Sequence, residues 1–505
     1  MVAMSILRAL LSFLMALLLV DSVRATWSII LVNRRTGEVA IASATCLTGF
    51  DLQREASVVL VGRGAAAAQS FVDNTGQNRM LIFQQLQAGT DPSQILALLA
   101  ASDSGHQSRQ YGIVDTQGRA VGFSGTGAGA WAGHLTGVIG DIVYAVQGNV
   151  LTGQAVITAA EQAIRTTPGD LAEKLMAAME ASRLFGGDGR CSCNGNSPTQ
   201  CGAPPASFTK SAHIAYMVVA RQGDTDGICN GSVGCANGRY YFNVNVANQI
   251  SSAPEPVYQL RAAFLNWRLR NVLRPDHYLS SCAVEPSRLL DDGVTTSRVR
   301  LVLRDWRGVQ LPFGGAQVAV TQLPGGPALP IGAVVDHGDG TYTIPVGPSL
   351  QAGTARLRIV VDDGQGSVQI SPAPEIVVGN DSLWLSAGSI NAAAGASVDA
   401  VLRGGPSFAN RPYLLLGSIS GTAPGVTLSP SVTLPLVPDG LTYLMLDLAP
   451  STTLLGGLDA QGRRTVPIAV PPGLFAGLPS GRLDFAWLAL APIDFASNPA
   501  GVDLR

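Results

Sequence analysis

The hydrophobic pattern changes character along the chain. TWSIILVN opens as a strand, RRTGE supplies a turn at Gly37, and EVAIASATC returns as a second strand, so 26–46 reads as a hairpin. Ala56 to Gly62 forms a third apolar strand. RMLIFQQLQAG then places apolar residues at helical spacing, and DPSQILALLAA opens a helix with Asp91 as N-cap and Pro92 in the first turn. QYGIVDTQGRAVGFS is a second hairpin turning at DTQG. A strand at 142–147 leads to QGN and two helices near 153–165 and 168–183, the second with Thr167 as cap and Pro168 in its first turn. Strands at 212–221 and 239–246 and a helix near 254–271 follow. Hairpins, helix pairs and hairpins again predict α+β layers rather than a parallel βαβ sheet.

Beyond about residue 285 the helical pattern stops. VTTSRVRLVLRD, AQVAVTQL, TYTIPV and TARLRIVVDD alternate between apolar and polar residues, with Gly, Pro and Asp turns between them. DHGDGTYTI, turning at Asp339-Gly340, resembles the hairpin of bacterial immunoglobulin-like repeats of the invasin or filamin type. SPAPE at 371–375 reads as a linker, and the remainder as a second sandwich. The expected organisation is a segment 1–25, an α+β domain over 26–284, and β-sandwiches over 285–376 and 377–505.

Segment 1–25 has the parts of an export signal: Arg8, an apolar run from Ala9 to Val20, and Val23-Arg24-Ala25 as a small-residue cleavage site. The apolar run is far shorter than the roughly 20 residues that span a bilayer. The mature chain is therefore expected to be secreted or periplasmic, with no transmembrane anchor after cleavage. A charged fraction of 13 % and a net charge of −2 exclude the basic footprint of a nucleic-acid binder. Six of the seven cysteines lie between Cys191 and Cys282, which predicts up to three disulfides in an oxidising compartment. Zinc is the rival use of these thiols, but no Cys or His pair has a finger spacing, so no metal or other cofactor is expected. Cys46, at the end of an apolar strand, is expected to be a buried free thiol.

The usual catalytic constellations are missing: there is no G-x-S-x-G elbow and no H-E-x-x-H pair. The glycine-rich FSGTGAGAWAG lacks the helix that a dinucleotide fingerprint opens. His134, in an expected loop, is a candidate substrate contact. Cleavage after Ala25 would leave Thr26 first, with a hydroxyl nucleophile and an α-amine in one residue. That amine titrates at about 7.7–8.0 and can take the hydroxyl proton, so no His–Asp pair is needed.

From Thr26 onward, TWSIILVNRRTGEVAIAS resembles the opening of the bacterial family called domain of unknown function 1028. GAAAAQS at 64–70, RQYGIVDTQG at 109–118, TGAGAWAGH ending at 134, YAVQGNVLTG at 144–153, GGDGR at 186–190 and SAH at 211–213 continue it in order. The resemblance spans about 26–250. It implies a four-layer αββα N-terminal-nucleophile hydrolase-like domain. It further implies Thr26 as nucleophile and base, Ser43 and Asn149 near it, and Gln147 and Gly148 as polar or backbone donors. Asp188 and Arg190 are implied as a charged pair beside the site. Ala44 stands where family members often carry Arg, and a Cys-rich insertion separates the last two motifs. The expected function is an amidohydrolase acting on an unknown small amide or peptide, with cell-envelope or glycan contact through the C-terminal modules. The alternative is a non-catalytic binding or surface-structure protein on the same scaffold.

Overall fold

The computed structural model describes residues 26–475 and 481–505. The expected signal segment, 1–25, lies outside the described residues. Those up to Arg270 form one compact unit, and Asn271–Arg505 form another.

The first unit is built on two antiparallel sheets. The larger contains β1 (Thr26–Asn33), β2 (Val39–Thr45), β7 (Ala132–Ile139), β8 (Ile142–Asn149), β9 (Ile214–Ala220) and β10 (Phe242–Val246), in the order β10-β9-β2-β1-β8-β7. The smaller contains β3 (Ser57–Leu60), β4 (Gly64–Ser70), β5 (Arg109–Asp115) and β6 (Ala120–Ser124), in sequence order. Alternation along β1 sorts its side chains. Ile30 and Val32 join Val39 and Ile41 and meet Ala65, Ala67 and Val114 of the smaller sheet. Trp27, Ile29 and Leu31 point the other way. They pack on α4 (Ala155–Thr166), α5 (Leu171–Leu184) and α7 (Pro256–Arg270), through Val156, Leu175, Met179, Leu260 and Phe264. The outer face of the smaller sheet is covered by α2 (Gln77–Ala88) and α3 (Pro92–Ser102), whose Ile82, Leu86, Ile95 and Leu99 meet Val58, Tyr111 and Ile113.

Several sequence expectations are corrected. The residues around His134, expected as loop, form strand β7, and GAAAAQS, for which no element was expected, is strand β4. Both runs are rich in small residues, which carry little apolar signal. A one-turn helix, α1 (Leu52–Ala56), precedes β3. Helix α5 starts later than expected, because the Asp170 carboxylate, not Thr167, accepts the Glu173 N–H. Cys46 is bonded to Cys191, Cys193 to Cys201 and Cys229 to Cys235, while Cys282 remains the free thiol. Three disulfides are what an oxidising, extracytoplasmic environment maintains.

The second unit holds two sandwiches. Strands Ser281–Glu285, Ser297–Val302, Thr341–Val346 and Val335–Asp336 form one sheet, facing a sheet that includes Gln317–Gln322, Gly353–Asp362 and Glu375–Gly379. Since Ser281–Glu285 pairs with Ser297–Val302, this module begins ahead of the expected 284/285 boundary. The hairpin in DHGDGTYTI is present, with Gly338 and Gly340 at φ +78° and +79°. A second core gathers around Trp487, Tyr413 and Leu415. The two modules are bound by Arg288–Asp381 and Arg403–Asp291 ion pairs and by Trp384 Nε1 donating to Arg288 O at 2.6 Å. Contrary to expectation, a helix occurs here: α8 (Gly440–Leu448) starts from an Asp439/Thr442 capping box. Among the described residues, no helix is long and apolar enough to cross a membrane.

Asp103 joins three elements of the first unit, accepting from Asn78 Nδ2 at 2.7 Å, Arg109 Nε at 2.8 Å and Gly105 N at 2.8 Å. Burial alone would raise its pKa, but these donors, Arg109 first, bring it down to about 2. Its stabilisation is therefore present above the unfolded carboxylate value and lost as pH falls toward 2. In Asp103→Asn, acid unfolding of this unit should lose that component of its pH dependence between about pH 4 and 2. Chemical denaturation at several pH values measures it.

Candidate functional site

The layer between the two sheets is not uniformly apolar. The inward-facing residues Ile30 and Val32 of β1 give way at its N-terminal end to Ser28 and Thr26. The same change occurs on β2, from Val39 and Ile41 to Ser43 and Thr45, and on β8, from Val143 and Ala145 to Gln147 and Asn149. The smaller sheet answers with Gln69, Gln110 and Ser124. In the register of the larger sheet Thr26 lies opposite Asn149, Ser28 opposite both Ser43 and Gln147, and Gln147 opposite His134. The sequence-predicted residues Thr26, Ser43, Gln147 and Asn149 thus converge on one end of one layer.

These groups are buried and linked. Gln69 Nε2 donates to the Thr26 carbonyl at 2.9 Å and to Gln110 Oε1 at 2.8 Å, while its Oε1 accepts from Ser28 at 2.5 Å. Ser43 Oγ donates to the Trp27 carbonyl at 2.6 Å and lies 2.8 Å from Ser28 Oγ. Side chains from both sheets therefore grip the first two carbonyls of β1. Gln110 Nε2 in turn reaches Gly148 O, Gly133 O and Ser124 Oγ at 2.9, 3.0 and 2.8 Å. Ser124 Oγ is also hydrogen-bonded to His134 Nδ1, 3.0 Å away. Desolvation lowers the His134 pKa, which favours the neutral imidazole. His134, the candidate substrate contact, is the exposed end of a hydrogen-bond chain leading to the Thr26 carbonyl.

Other predicted residues make contacts within the fold. Asn149 Nδ2 donates to Ala128 O at 2.9 Å and lies 3.2 Å from Ser70 Oγ, which donates to the same carbonyl. Gln147 Nε2 donates to Ala67 O at 3.2 Å, across the layer. Asp188 is fully buried and caps α6 (Gly189–Ser192). Its carboxylate accepts from Arg190 N, Arg190 Nε, Arg190 Nη2 and Cys46 N, the last at 2.7 Å. The expected Asp188–Arg190 pair is present at 2.8 Å, and Arg190 reaches Thr45 Oγ1 at 3.4 Å. The Cys46–Cys191 bond fastens the same loop to the end of β2.

Close approach of this loop depends on Gly187. Its φ is +56°, and a Cβ there would lie 2.6 Å from the Trp27 ring. Ala44 has its side chain in the helix-facing core, on the opposite face of β2 from Ser43. A basic side chain at that position would not enter the polar layer directly. The groups missed by sequence reasoning are Ser28, Gln69, Gln110 and Ser124. Their signal was a polar residue at the inward phase of an otherwise apolar or small-residue strand, all near the same sheet end.

Residues 26–197 match the family described as "Family of unknown function (DUF1028)". Residues 276–375 match "Invasin, domain 3". A crystal structure of a DUF1028 protein from Silicibacter pomeroyi is 19 % identical, covering 48 % of this chain and 88 % of its own, with a TM-score of 0.34. The Yersinia pseudotuberculosis adhesin InvE is also 19 % identical, over 45 % of this chain and 59 % of its own, at a TM-score of 0.18. Invasin, a bacterial integrin-binding protein, is 15 % identical over 58 % of this chain and 46 % of its own, also at 0.18. This chain thus spans less than two thirds of either adhesin structure. Among curated proteins, none matches the sequence.

Replacing Asp188 with Asn should leave the loop's shape but strand the Arg190 charge. Removing one partner of a buried ion pair typically costs about 3–5 kcal/mol. The unfolding midpoint of the first unit in denaturant should fall accordingly, with the disulfides intact.

Proposed function

We propose that the first unit is an exported amidohydrolase of the N-terminal-nucleophile type, its two sheets and flanking helices forming the four-layer αββα arrangement of that class. The observation that carries this reading is the convergence of a neutral polar network from both sheets on the first residues of β1. Ser43 and Gln69 hold the Trp27 and Thr26 carbonyls, and Asn149 lies directly across. Cleavage after Ala25 exposes the Thr26 amine.

The chemistry then needs few side chains. The Thr26 amine takes the hydroxyl proton as Oγ1 attacks the amide carbonyl carbon, giving a tetrahedral oxyanion. Collapse expels the amine product, which carries away that proton, and leaves an ester on Thr26. Water, deprotonated by the same amine, cleaves the ester and restores the hydroxyl. Backbone N–H groups near the strand ends, with the Asn149 amide directly across from Thr26, are the oxyanion donors of this reading. Asp188 and Arg190 act by docking the 186–193 loop rather than by proton transfer.

A second reading has its own support. Asp188 is spent on the fold, and 276–375 match an invasin domain, so a non-catalytic surface protein would use the same architecture. In either reading the C-terminal sandwiches contact the cell envelope, its glycans or a surface receptor.

Thr26→Ala separates the two. Protein recovered from the exported compartment should start at Thr26 with a free amine, by mass and N-terminal sequencing. The variant should fold with unchanged circular dichroism yet lose at least about a thousandfold of amide turnover. Equal turnover by a folded Thr26→Ala protein would reject the mechanism.

A further inference from the structure

The end of β2 carries a group of side chains that the proposed hydrolysis does not use. Cys46 Sγ, Cys191 Sγ and a ring nitrogen of His213 lie within 4.8 Å of one another, all three residues half-buried. The sulfurs are joined as a disulfide, and His213 Nε2 lies 3.5 Å from Cys191 Sγ. His213 belongs to the SAH segment entering β9, and its backbone N–H donates to Thr45 O, the residue before Cys46. Its Nδ1 is buried without a hydrogen-bond partner among the described residues. The fold thus places an imidazole against a sulfur pair while making little structural use of it.

The spacing has a specific meaning. Zinc binds thiolate sulfur at about 2.3 Å and imidazole nitrogen at about 2.0–2.1 Å, so two such ligands at a tetrahedral angle lie about 3.5 Å apart. Cys191 Sγ and His213 Nε2 already have that separation. The two sulfurs would have to part to about 3.8 Å, which rotation of one cysteine side chain can supply once the S–S bond is open. Two thiolates and one imidazole form a soft donor set suited to zinc, with a fourth position left for water.

We propose that, when a dithiol reductant opens the Cys46–Cys191 disulfide, these two cysteines and His213 form a Zn²⁺ site. The reductant gives two electrons and two protons to the S–S bond and closes its own disulfide. Zn²⁺ then displaces the two thiol protons to solvent. The exchange replaces one cross-link between β2 and the 186–193 loop by another, so Asp188 keeps its dock on Cys46 N in either redox state. Nothing in this step requires Thr26 to be catalytic.

The full chain, reduced with dithiothreitol and desalted without oxygen, would be titrated with Zn²⁺ against a chromophoric chelator and, in parallel, with Co²⁺. Reduced wild type should bind, with a charge-transfer band from two thiolates, and the oxidised protein should not. Cys46→Ser should remove that band, and His213→Ala should weaken binding by about tenfold or more. Cys193→Ser/Cys201→Ser, which removes the neighbouring disulfide, should retain the site. The proposal is overturned if the band survives Cys46→Ser, if His213→Ala binds like wild type, or if oxidised protein binds equally. It is also overturned if reduced wild type takes up no metal, whether it stays folded or unfolds by circular dichroism.

Discussion

A dry layer between two sheets tolerates an amide or hydroxyl only when that group is hydrogen-bonded. Each one left unsatisfied costs about 1–3 kcal/mol. That requirement governs the end of the first unit where β1 begins. Ser28, Ser43, Gln69, Gln110 and Ser124 satisfy one another and the Thr26, Trp27 and Gly148 carbonyls. The set contributes no formal charge. Its position is therefore fixed by hydrogen-bond geometry rather than by ion pairing, and the start of β1 is held from both sheets at once. A strand end would ordinarily fray; this one is among the most constrained parts of the chain.

The 186–193 loop extends the constraint outward. Gly187 lets it lie on Trp27, Asp188 gathers four donors from Arg190 and Cys46, and the Cys46–Cys191 bond adds a covalent tie. These three contacts involve β1 and β2, the strands that bear Thr26 and Ser43. Buried ion pairs add little net stability, but they are costly to break, which makes them better at fixing one arrangement than at strengthening it. Here the arrangement fixed is the flank of the candidate site.

Much of this organisation is legible in the sequence, for identifiable reasons. Strong alternation in TWSIILVN, EVAIASATC and TARLRIVVDD predicted strands that the structure contains. The signal failed where side chains are small. GAAAAQS and AGHLTGVI pair as strands because their neighbours bury them, not because their own pattern demands it. Helix α8 was hidden because Asp439-Gly440 reads equally as a turn, and only the Thr442 hydroxyl closing the capping box makes it a helix start. Disulfide pairing was beyond reach: Cys46 is 145 residues from its partner, and only the folded sheet brings its strand end to that loop. At the site, Thr26, Ser43 and Asn149 were legible through family motifs. Gln69 and Gln110 were not, because a lone Gln in a small-residue strand has no local reason to matter until a second sheet lies opposite.

The division of labour at this site bears on what kind of chemistry it can host. A carboxylate whose oxygens already hold the fold together cannot also follow a reaction without breaking something. Asp188 is in that condition, accepting from Cys46 N and Arg190 in the loop beside the site. A mechanism requiring a mobile carboxylate would not find one in it. A mechanism that keeps nucleophile and base in one residue needs only that this residue be held still. The hydrogen-bonded carbonyls of Thr26 and Trp27 supply that condition. The features that argue against a conventional acid–base pair are therefore the same ones that suit an N-terminal threonine.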